Sequence, residues 1–593
     1  MLPRRLAAWL VAGALGVARV ASAAEPLSDY EKESLRIGLE DTESQIDPSP
    51  ANKVVEAIDV VNLDVIEPRD PAPAFLNWFH ATSRPKIIEQ DVLVRVGDRF
   101  DSGLVAETER NLRALRQLSV VLIVPTVGSA PDRVRLLVVA KDVWSLRVNW
   151  DPVFVNGALQ SLYLQPSEEN LLGHHKTLNG NILLGRATYS LGLGFIDPRI
   201  GGTRLQAAAT ANVIVNCRTG NVEGSDGSFS YGKPLYSTRT KWSWVAAAAW
   251  AEGIVRPAGT LGRSICSDDR AVPLDFASTR AQDAIPYQYR EDVIAGQVGA
   301  TRSFGSVFKS DVSFGLETDR RAYDPPELLA MRPRIVRDEF SALMPVSDTR
   351  ISPFVQLHSY HNHFMRVLDL ETMGLQEDYQ LGHDIWLRAY PALRAVGSTR
   401  NLMGLYGGLG YTVPIVDGMA RAYATTSLQL SSTSETDGAF QAGARFVTPR
   451  LPFGRVVLDG TILDRFDNYL NPNQALGGTT RLRGYRTQAF VGPNVVVANA
   501  EIRSRPIEIL HVYVGAVAFY DVGDAFHSFQ TMKLRQGAGG GLRFAFPQIQ
   551  RSVFRLDLGV PLEPSDPDAE TTVVAQFEQA FDVPQLASPG LVQ

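Results

Sequence analysis

The stretch His511-Val512-Tyr513-Val514-Gly515-Ala516-Val517-Ala518-Phe519-Tyr520-Asp521-Val522 decides the fold. Successive side chains of an extended chain point to opposite sides. Val512, Val514, Ala516, Ala518, Tyr520 and Val522 therefore share one face, and His511, Tyr513, Gly515, Phe519 and Asp521 share the other. Working outward, the same rhythm recurs. Phe554, Leu556, Leu558 and Val560 oppose Arg555, Asp557 and Gly559. Leu205, Ala207, Ala209, Ala211 and Val213 oppose Arg204, Gln206, Thr210 and Asn212. Over residues 402–413, Gly404, Gly408 and Gly410 alternate with Met403, Leu405, Leu409 and Tyr411. Segments of about ten residues follow one another from position 143 to Phe581, with turn residues between them.

A soluble β-sandwich has the same period of two, so alternation alone does not separate it from a membrane barrel. Three features favour the barrel. The segments match the ~9–11 residues that a tilted strand needs to cross a bilayer. Their polar faces carry charge, as a wet lumen allows and a dry core does not. Trp242, Trp244 and Trp250 sit near strand ends, where an interfacial girdle belongs. Such a sheet has to close, because an open edge in lipid leaves backbone groups unpaired. The expected fold is mainly β: a transmembrane antiparallel β-barrel of about 16 strands, preceded by one small α+β domain, with turn signals allowing roughly 16 to 20.

Composition agrees. The chain has 593 residues and a net charge of −6, too acidic to point to nucleic acid as a partner. Arg4 and Arg5 precede the apolar run Leu6 to Val17, and Ala21-Ser22-Ala23 offers a small-residue cleavage site, so residues 1–23 read as a signal peptide. Beyond it no stretch of about 18 apolar residues occurs, which excludes helical spans. Residues 24–52 read as a polar linker, with a short acidic helix plausible before Asp47-Pro48-Ser49-Pro50. Residues 53–142 read as a compact β-α-α-β-β unit. Its strand starts with Val54, Glu56, Ile58 and Val60. Phe75, Trp78 and Phe79 follow at helical spacing, then a helix over Ser102 to Gln117 with Val105, Thr108, Leu112 and Leu115 inward, then strands at Val120 to Thr126 and Arg133 to Ala140. The barrel is expected over 143–581, ending in a strand from Thr571 to Phe581, with 582–593 as a polar tail.

The site signal lies near the C-terminus. A long loop carries Gly477-Gly478-Thr479-Thr480-Arg481-Leu482-Arg483-Gly484-Tyr485. The next strand carries Asn499-Ala500-Glu501-Ile502-Arg503, and the one after it Phe519-Tyr520-Asp521-Val522-Gly523-Asp524. Alternation turns Glu501 and Asp521 into the lumen. Arg483 taken by itself reads more simply as a solvated loop residue; buried, it needs paired carboxylates.

These three motifs in order resemble the BamA/TamA-type superfamily of outer-membrane assembly proteins, a POTRA module joined to a bacterial surface antigen barrel. Glu168-Glu169-Asn170-Leu171-Leu172-Gly173 is similar to that family's early barrel strands. The turn Gly97-Asp98-Arg99-Phe100-Asp101 and the segment Lys141-Asp142-Val143-Trp144-Ser145-Leu146 look like its POTRA module. The resemblance implies sixteen strands and a weak lateral seam between the first and last. It places Leu482-Arg483-Gly484-Tyr485 in the lumen, with Arg483 against Glu501 and Asp521 and Gly523 close by. It also implies a periplasmic domain that receives partners or clients by strand addition. The chain departs from the family's assembly factor in carrying a single such module and in running past Phe581.

The expectation is therefore a non-enzymatic protein of the outer membrane that inserts or translocates polypeptides. Its partners would be outer-membrane lipid, unfolded or partly folded client polypeptides, and periplasmic or lipoprotein partners through the POTRA-like domain. A passive pore or surface antigen and a lipid-handling barrel are the alternatives. No cofactor or metal is expected. No Gly-x-Ser-x-Gly elbow, P-loop or His-Glu-x-x-His helix occurs, and His358, His361 and His363 read as a polar strand end. Cys217 and Cys266 fall in outward loops, the second about 35 residues long. A disulfide between them and two unpaired thiols fit the sequence equally well.

Overall fold

The computed structural model describes residues 27–581 apart from 71–72, 156–157, 258, 275–284, 434, 479–480, 487, 548–549 and 578. The expected signal peptide and polar tail lie outside the described residues.

The N-terminal domain is a three-stranded sheet. Its strands are β1 (Val54–Leu63), β2 (Leu118–Val127) and β3 (Arg133–Asp142), in the order β1-β3-β2. β1 and β3 run parallel, while β2 and β3 are antiparallel, the partners of a tight turn at 128–132. Helix α2 (Pro85–Glu89) and helix α3 (Ser102–Arg113) cover one face. Asp101 starts α3 by accepting a hydrogen bond from the Leu104 N–H, which satisfies one of the orphan donors of a helix start. Leu104, Val105 and Leu112 then pack with Val55, Ile88, Val121, Leu136 and Val138. The expected linker contains more structure than its polarity indicates. Helix α1 (Asp29–Asp41) opens with a Ser28/Glu31 capping box and lays Tyr30, Leu35 and Leu39 on the other face of the sheet, against Val120, Leu122, Leu137 and Val139. Residues 74–79 form a short 3-10 turn, not the expected amphipathic helix, and Phe75 and Trp78 are exposed.

The remainder closes into a barrel. Among the described residues it has 20 strands, correcting the expected sixteen or so. One strand is broken into Asn494–Ser504 and Ile507–Ile509 around Pro506, and both pieces pair with Val512–Phe526. Turn signals alone underdetermine the count, because ribbons outside the barrel carry the same alternation. Phe364–Leu368 with Gln376–Gln380 is one, and Gln474–Leu476 with Phe490–Gly492 is another. The first barrel strand is Leu146–Val155 and the last is Thr572–Phe577, four residues short of the expected end. In Val512–Phe526 the burial alternates as the residue types require. Ala516, Ala518 and Tyr520 are exposed on the outer face, and Gly515, Val517, Phe519 and Asp521 are buried inside.

An even number of strands brings both ends of the barrel to the rim where the N-terminal domain sits. That domain is bolted to the turns of this rim. Asn170, in the Glu168–Gly173 motif, donates to the Ala81 carbonyl and to the Ser83 hydroxyl, both at 2.9 Å. Glu107 accepts from the Thr238 hydroxyl at 2.7 Å, and Asn111 donates to the Tyr236 carbonyl at 3.0 Å. Arg113 pairs with Asp378 at 2.6 Å and Arg366 with Glu109 at 2.5 Å, both tying α3 to the 364–380 ribbon.

Two predictions arise here. His175, in the turn after Ala158–Glu168, is buried with Nε2 2.9 Å from the Ser83 hydroxyl. Burial pushes its pKa below the ordinary value. The unfolded chain therefore takes up a proton first as pH falls below about 6.5, and the contribution of this contact is present above that pH and lost as pH drops through the depressed folded value. Protection factors of residues 81–84, hydrogen exchange corrected for its intrinsic pH dependence, are expected to fall between pH 7 and pH 5 in the wild type and to stay flatter in His175→Gln; equal slopes would refute the assignment. At the opposite rim, Cys217 and Cys266 form a disulfide that closes a separation of 49 residues and staples the loop 217–221 to the long loop 256–288. In the chain-entropy model such a loop is stabilised by about 4 kcal/mol. Reduction is expected to lower the temperature at which these loops become protease-sensitive, and an unchanged profile would show that the staple contributes nothing.

Candidate functional site: the lumen loop and the seam

The loop between Gly454–Asn468 and Asn494–Ser504 turns back into the barrel. Its ribbon is held by Leu476, Leu482, Tyr485 and Phe490, which pack on Val497 and Ala525 of the wall. The tip requires glycine at 484. Its φ is +96°, and a Cβ there would stand 2.6 Å from the Val560 carbonyl carbon. The wall also makes room: a Cβ on Gly537 would stand 2.0 Å from the Arg483 carbonyl oxygen. Gly523 lies against the ribbon, where a Cβ would meet Val496 O at 2.8 Å and Leu476 Cδ2 at 3.1 Å.

Arg483 is fully buried, and its guanidinium is surrounded. Nε and Nη2 fork onto Asp521 at 2.8 and 2.9 Å; Nη1 reaches Glu501 at 3.0 Å and Asp557 at 3.2 Å. Its carbon lies 3.4 Å above the centre of the Phe519 ring. Burial opposes the charge, and the Asp521 hydrogen bonds and the carboxylates of Glu501, Asp521 and Asp557 offset that cost. The arrangement satisfies the condition for a buried charge: a bidentate hydrogen-bonded partner in Asp521, a further hydrogen bond to Asp557 and an ion pair with Glu501. Arg481 pairs with Asp459 at 2.6 Å, and Asn499 bridges the Arg481 carbonyl and Asp521 at 2.6 and 2.7 Å. The structure thus brings together Arg481, Leu482, Arg483, Gly484, Tyr485, Glu501, Asp521 and Gly523, while Cys217 and Cys266 stand apart at the far rim.

Sequence reasoning missed several members. Asp557 had been placed on an inward face without being joined to the loop, and Phe519 shared the face of Asp521. Thr572 carried no signal at all. Its hydroxyl accepts the Gly484 N–H at 3.0 Å, and the Glu570 N–H donates to the Gly484 carbonyl at 3.3 Å. The loop tip therefore grips the start of the last strand. A second charged layer lies nearer the domain: Arg503 bonds Glu501 at 2.9 Å and the Leu370 carbonyl at 2.8 Å, and Arg445 bonds Glu371 at 2.5 Å. Glu371 and Leu370 belong to the turn of the 364–380 ribbon, so the ribbon closes the barrel floor beneath the loop. Met365, Val367 and Leu370 pack there with Met419, Val447, Val457 and Phe581.

The last strand meets the first over three register pairs, Thr572 with Val155, Val573 with Phe154 and Val574 with Val153. Tyr289–Phe304 and Phe308–Asp324, by contrast, pair at fifteen positions. Residues 146–152 of the first strand have no register partner on the last strand among the described residues. A cavity of 560 Å³ opens at that edge, between Asn149, Tyr163 and Gln165 of the wall, Gln576 and Phe577 of the last strand, and Arg113 to Arg116 of the N-terminal domain.

This is a closed antiparallel β-barrel. No protein-family model matches the chain, and no curated protein matches it in sequence. Among solved structures it is similar to CdiB from Escherichia coli (13% identity, 89% of this chain and 76% of that one, TM-score 0.43). It is similar also to CdiB from Acinetobacter baumannii (11%, 90% and 77%, TM-score 0.38). BamA from Haemophilus ducreyi lacking POTRA domains 1–3 is a third (11%, 89% and 84%, TM-score 0.35). At these identities the reading of the site rests on the chain's own residues. His358 faces inward against Asp384 at 3.0 Å and stacks on Trp386, apart from His361, which stacks on Phe308 and on His363. Among the described residues no group of three or more His, Cys, Asp or Glu is arranged to hold a metal.

Proposed function

We propose that this protein is an outer-membrane barrel of the BamA/TamA type that assists insertion or translocation of polypeptides. In this reading the N-terminal domain is POTRA-like and periplasmic, and no covalent chemistry is involved. The observation that carries the reading is the seam: the last strand meets the first over three register pairs, beside a cavity. A ladder of three pairs opens at low cost, and the strand edges that opening exposes can template a client strand. The lumen loop supports the same reading, since Gly484 and Glu570 connect a rigid buried core to the strand that would have to move.

A passive pore fits less well, because the lumen holds a buried loop above and a ribbon below. Lipid handling through the seam is the remaining alternative, and depletion separates the two. Loss of the protein is expected to reduce folded barrel proteins in the outer membrane within a few generations, with lipid composition following later. Lipid changes that come first, with barrel proteins unaffected, would overturn the proposal.

A further inference from the structure

The joint between the N-terminal domain and the first barrel strand is built inside out. Its polar groups are buried and bonded to one another: Ser83, Asp142, Ser145, Asn170 and His175 are at most 3% exposed. The ring nitrogens of His80 lie 3.0 Å from the Ser145 hydroxyl and 3.0 Å from Asp142, and the Ser83 N–H donates to Asp142 at 2.6 Å. The large apolar side chains around this joint face outward instead: Phe75, Trp78, Leu146, Val148 and Leu172 are 51% to 85% exposed. Phe75 and Trp78 stand three residues apart in the 3-10 turn 74–79, where such positions eclipse, so they share one face. Leu146 follows Ser145 and starts the outward row Leu146, Val148 and Trp150 of the first strand. Leu172 lies in the turn that Asn170 pins to the domain, where the Gly173 carbonyl accepts the Arg84 N–H at 3.2 Å. Its φ is +56°, a left-handed conformation that a bulky side chain rarely takes, and that side chain is exposed. Arg84 and Lys86, both exposed, flank the turn, while Glu89, the exposed carboxylate of α2, lies at the other end of that helix. A surface facing water selects the reverse arrangement, and an apolar patch rimmed by polar groups marks a binding surface.

We propose that Phe75, Trp78 and Leu172 form an interfacial anchor that seats the N-terminal domain in the phospholipid leaflet beside the seam, with Arg84 and Lys86 on the lipid phosphates. The proposal rests on the membrane-barrel reading above and extends lipid contact from the wall to the domain. Lipid is the occupant because the patch continues the outward row of the first strand: His80 bonds Ser145, and Leu146 comes next in the chain. Its chemistry also fits the boundary of a bilayer, where aromatic rings sit at headgroup level and cations meet phosphate. The anchor holds the domain next to the first strand, one of the two that form the seam.

The test uses the full-length protein in vesicles of phosphatidylethanolamine and phosphatidylglycerol, with a spin label on one introduced cysteine. Cys217 and Cys266 are joined to each other and do not take the label. The positions are Trp78→Cys, Leu172→Cys, Leu193→Cys on the outward wall and Val96→Cys on the domain. Val96 is an exposed apolar residue at the far end of β1, about 23 Å from the joint along the strand. Labels at 78 and 172 are expected to meet a water-soluble nickel chelate at least about fivefold less often than the label at 96, and to meet oxygen as the label at 193 does. Labels at 78 and 172 as open to nickel as 96, with 193 shielded, would overturn the anchor and leave the barrel reading standing. A label at 193 as open as 96 would overturn both. Arg84→Glu with Lys86→Glu is expected to raise nickel contact at 172 about threefold in these vesicles and to leave it unchanged in pure phosphatidylcholine. No rise in either lipid, or an equal rise in both, would overturn the phosphate contact.

Discussion

Replacing Arg483 with methionine is expected to destabilise the folded barrel by about 3–5 kcal/mol, the cost of breaking a buried ion pair by removing one partner. The loss has a specific location. Glu501 keeps Arg503, and Asp557 keeps Arg543 and Arg555. Asp521 keeps the amide of Asn499 and loses the guanidinium that reaches it through both Nε and Nη2. The uncompensated charge therefore sits on Asp521, and Asp521→Asn in the methionine background is expected to recover a large part of the stability. Arg483→Lys is expected to fall between wild type and Arg483→Met, because an ammonium is a point donor and cannot span three carboxylates as a planar fork does. The readout is the temperature at which the compact, heat-modifiable form converts to the unfolded form on a gel. Additive effects of the two single changes would contradict the pairing. A wild-type midpoint in Arg483→Met would contradict burial of the loop altogether.

Locking the seam is expected to abolish function while leaving the barrel intact. Val153 and Val574 are register partners across the three-residue interface, so Val153→Cys with Val574→Cys places two thiols on facing strands. Oxidation would hold the strands together against an opening that three ladder pairs resist only weakly. Cells relying on the doubly substituted protein are expected to lose barrel proteins from the outer membrane under oxidising conditions and to recover on reduction. Either single cysteine is expected to be silent. The same pair moved to Val298 and Leu316, register partners within the fifteen-pair interface, is expected to have no effect in either redox state.

The residues whose meaning is local were readable in the sequence. Alternation in His511 to Val522 describes one strand and needs no other part of the chain, and burial follows it residue by residue. Glu501 and Asp521 were legible on the inward face from alternation, whereas Arg483 by itself read as a solvated loop residue and joined them only through the family resemblance. Features that depend on which strands are neighbours were not legible. Asp557 joins the site from a strand 74 residues away from Arg483, and Thr572 from one 88 residues beyond Gly484. The turn signals left sixteen to twenty strands open and the family resemblance implied sixteen; only the pairing of neighbours fixes the number at 20 among the described residues. Helix α1 was undervalued because its polarity conceals Tyr30, Leu35 and Leu39, whose burial depends on a sheet formed eighty residues later.

The measurement to make is client insertion in proteoliposomes containing the purified protein, with a urea-denatured outer-membrane barrel supplied from outside and its protease-protected, heat-modifiable form followed with time. Liposomes with the wild-type protein are expected to fold the client at least about tenfold faster than empty liposomes. The oxidised Val153→Cys, Val574→Cys protein is expected to fall to the empty-liposome rate and to regain activity when reduced. A wild-type rate equal to that of empty liposomes, or a locked seam as active as an open one, would contradict a polypeptide-assembly role through the seam.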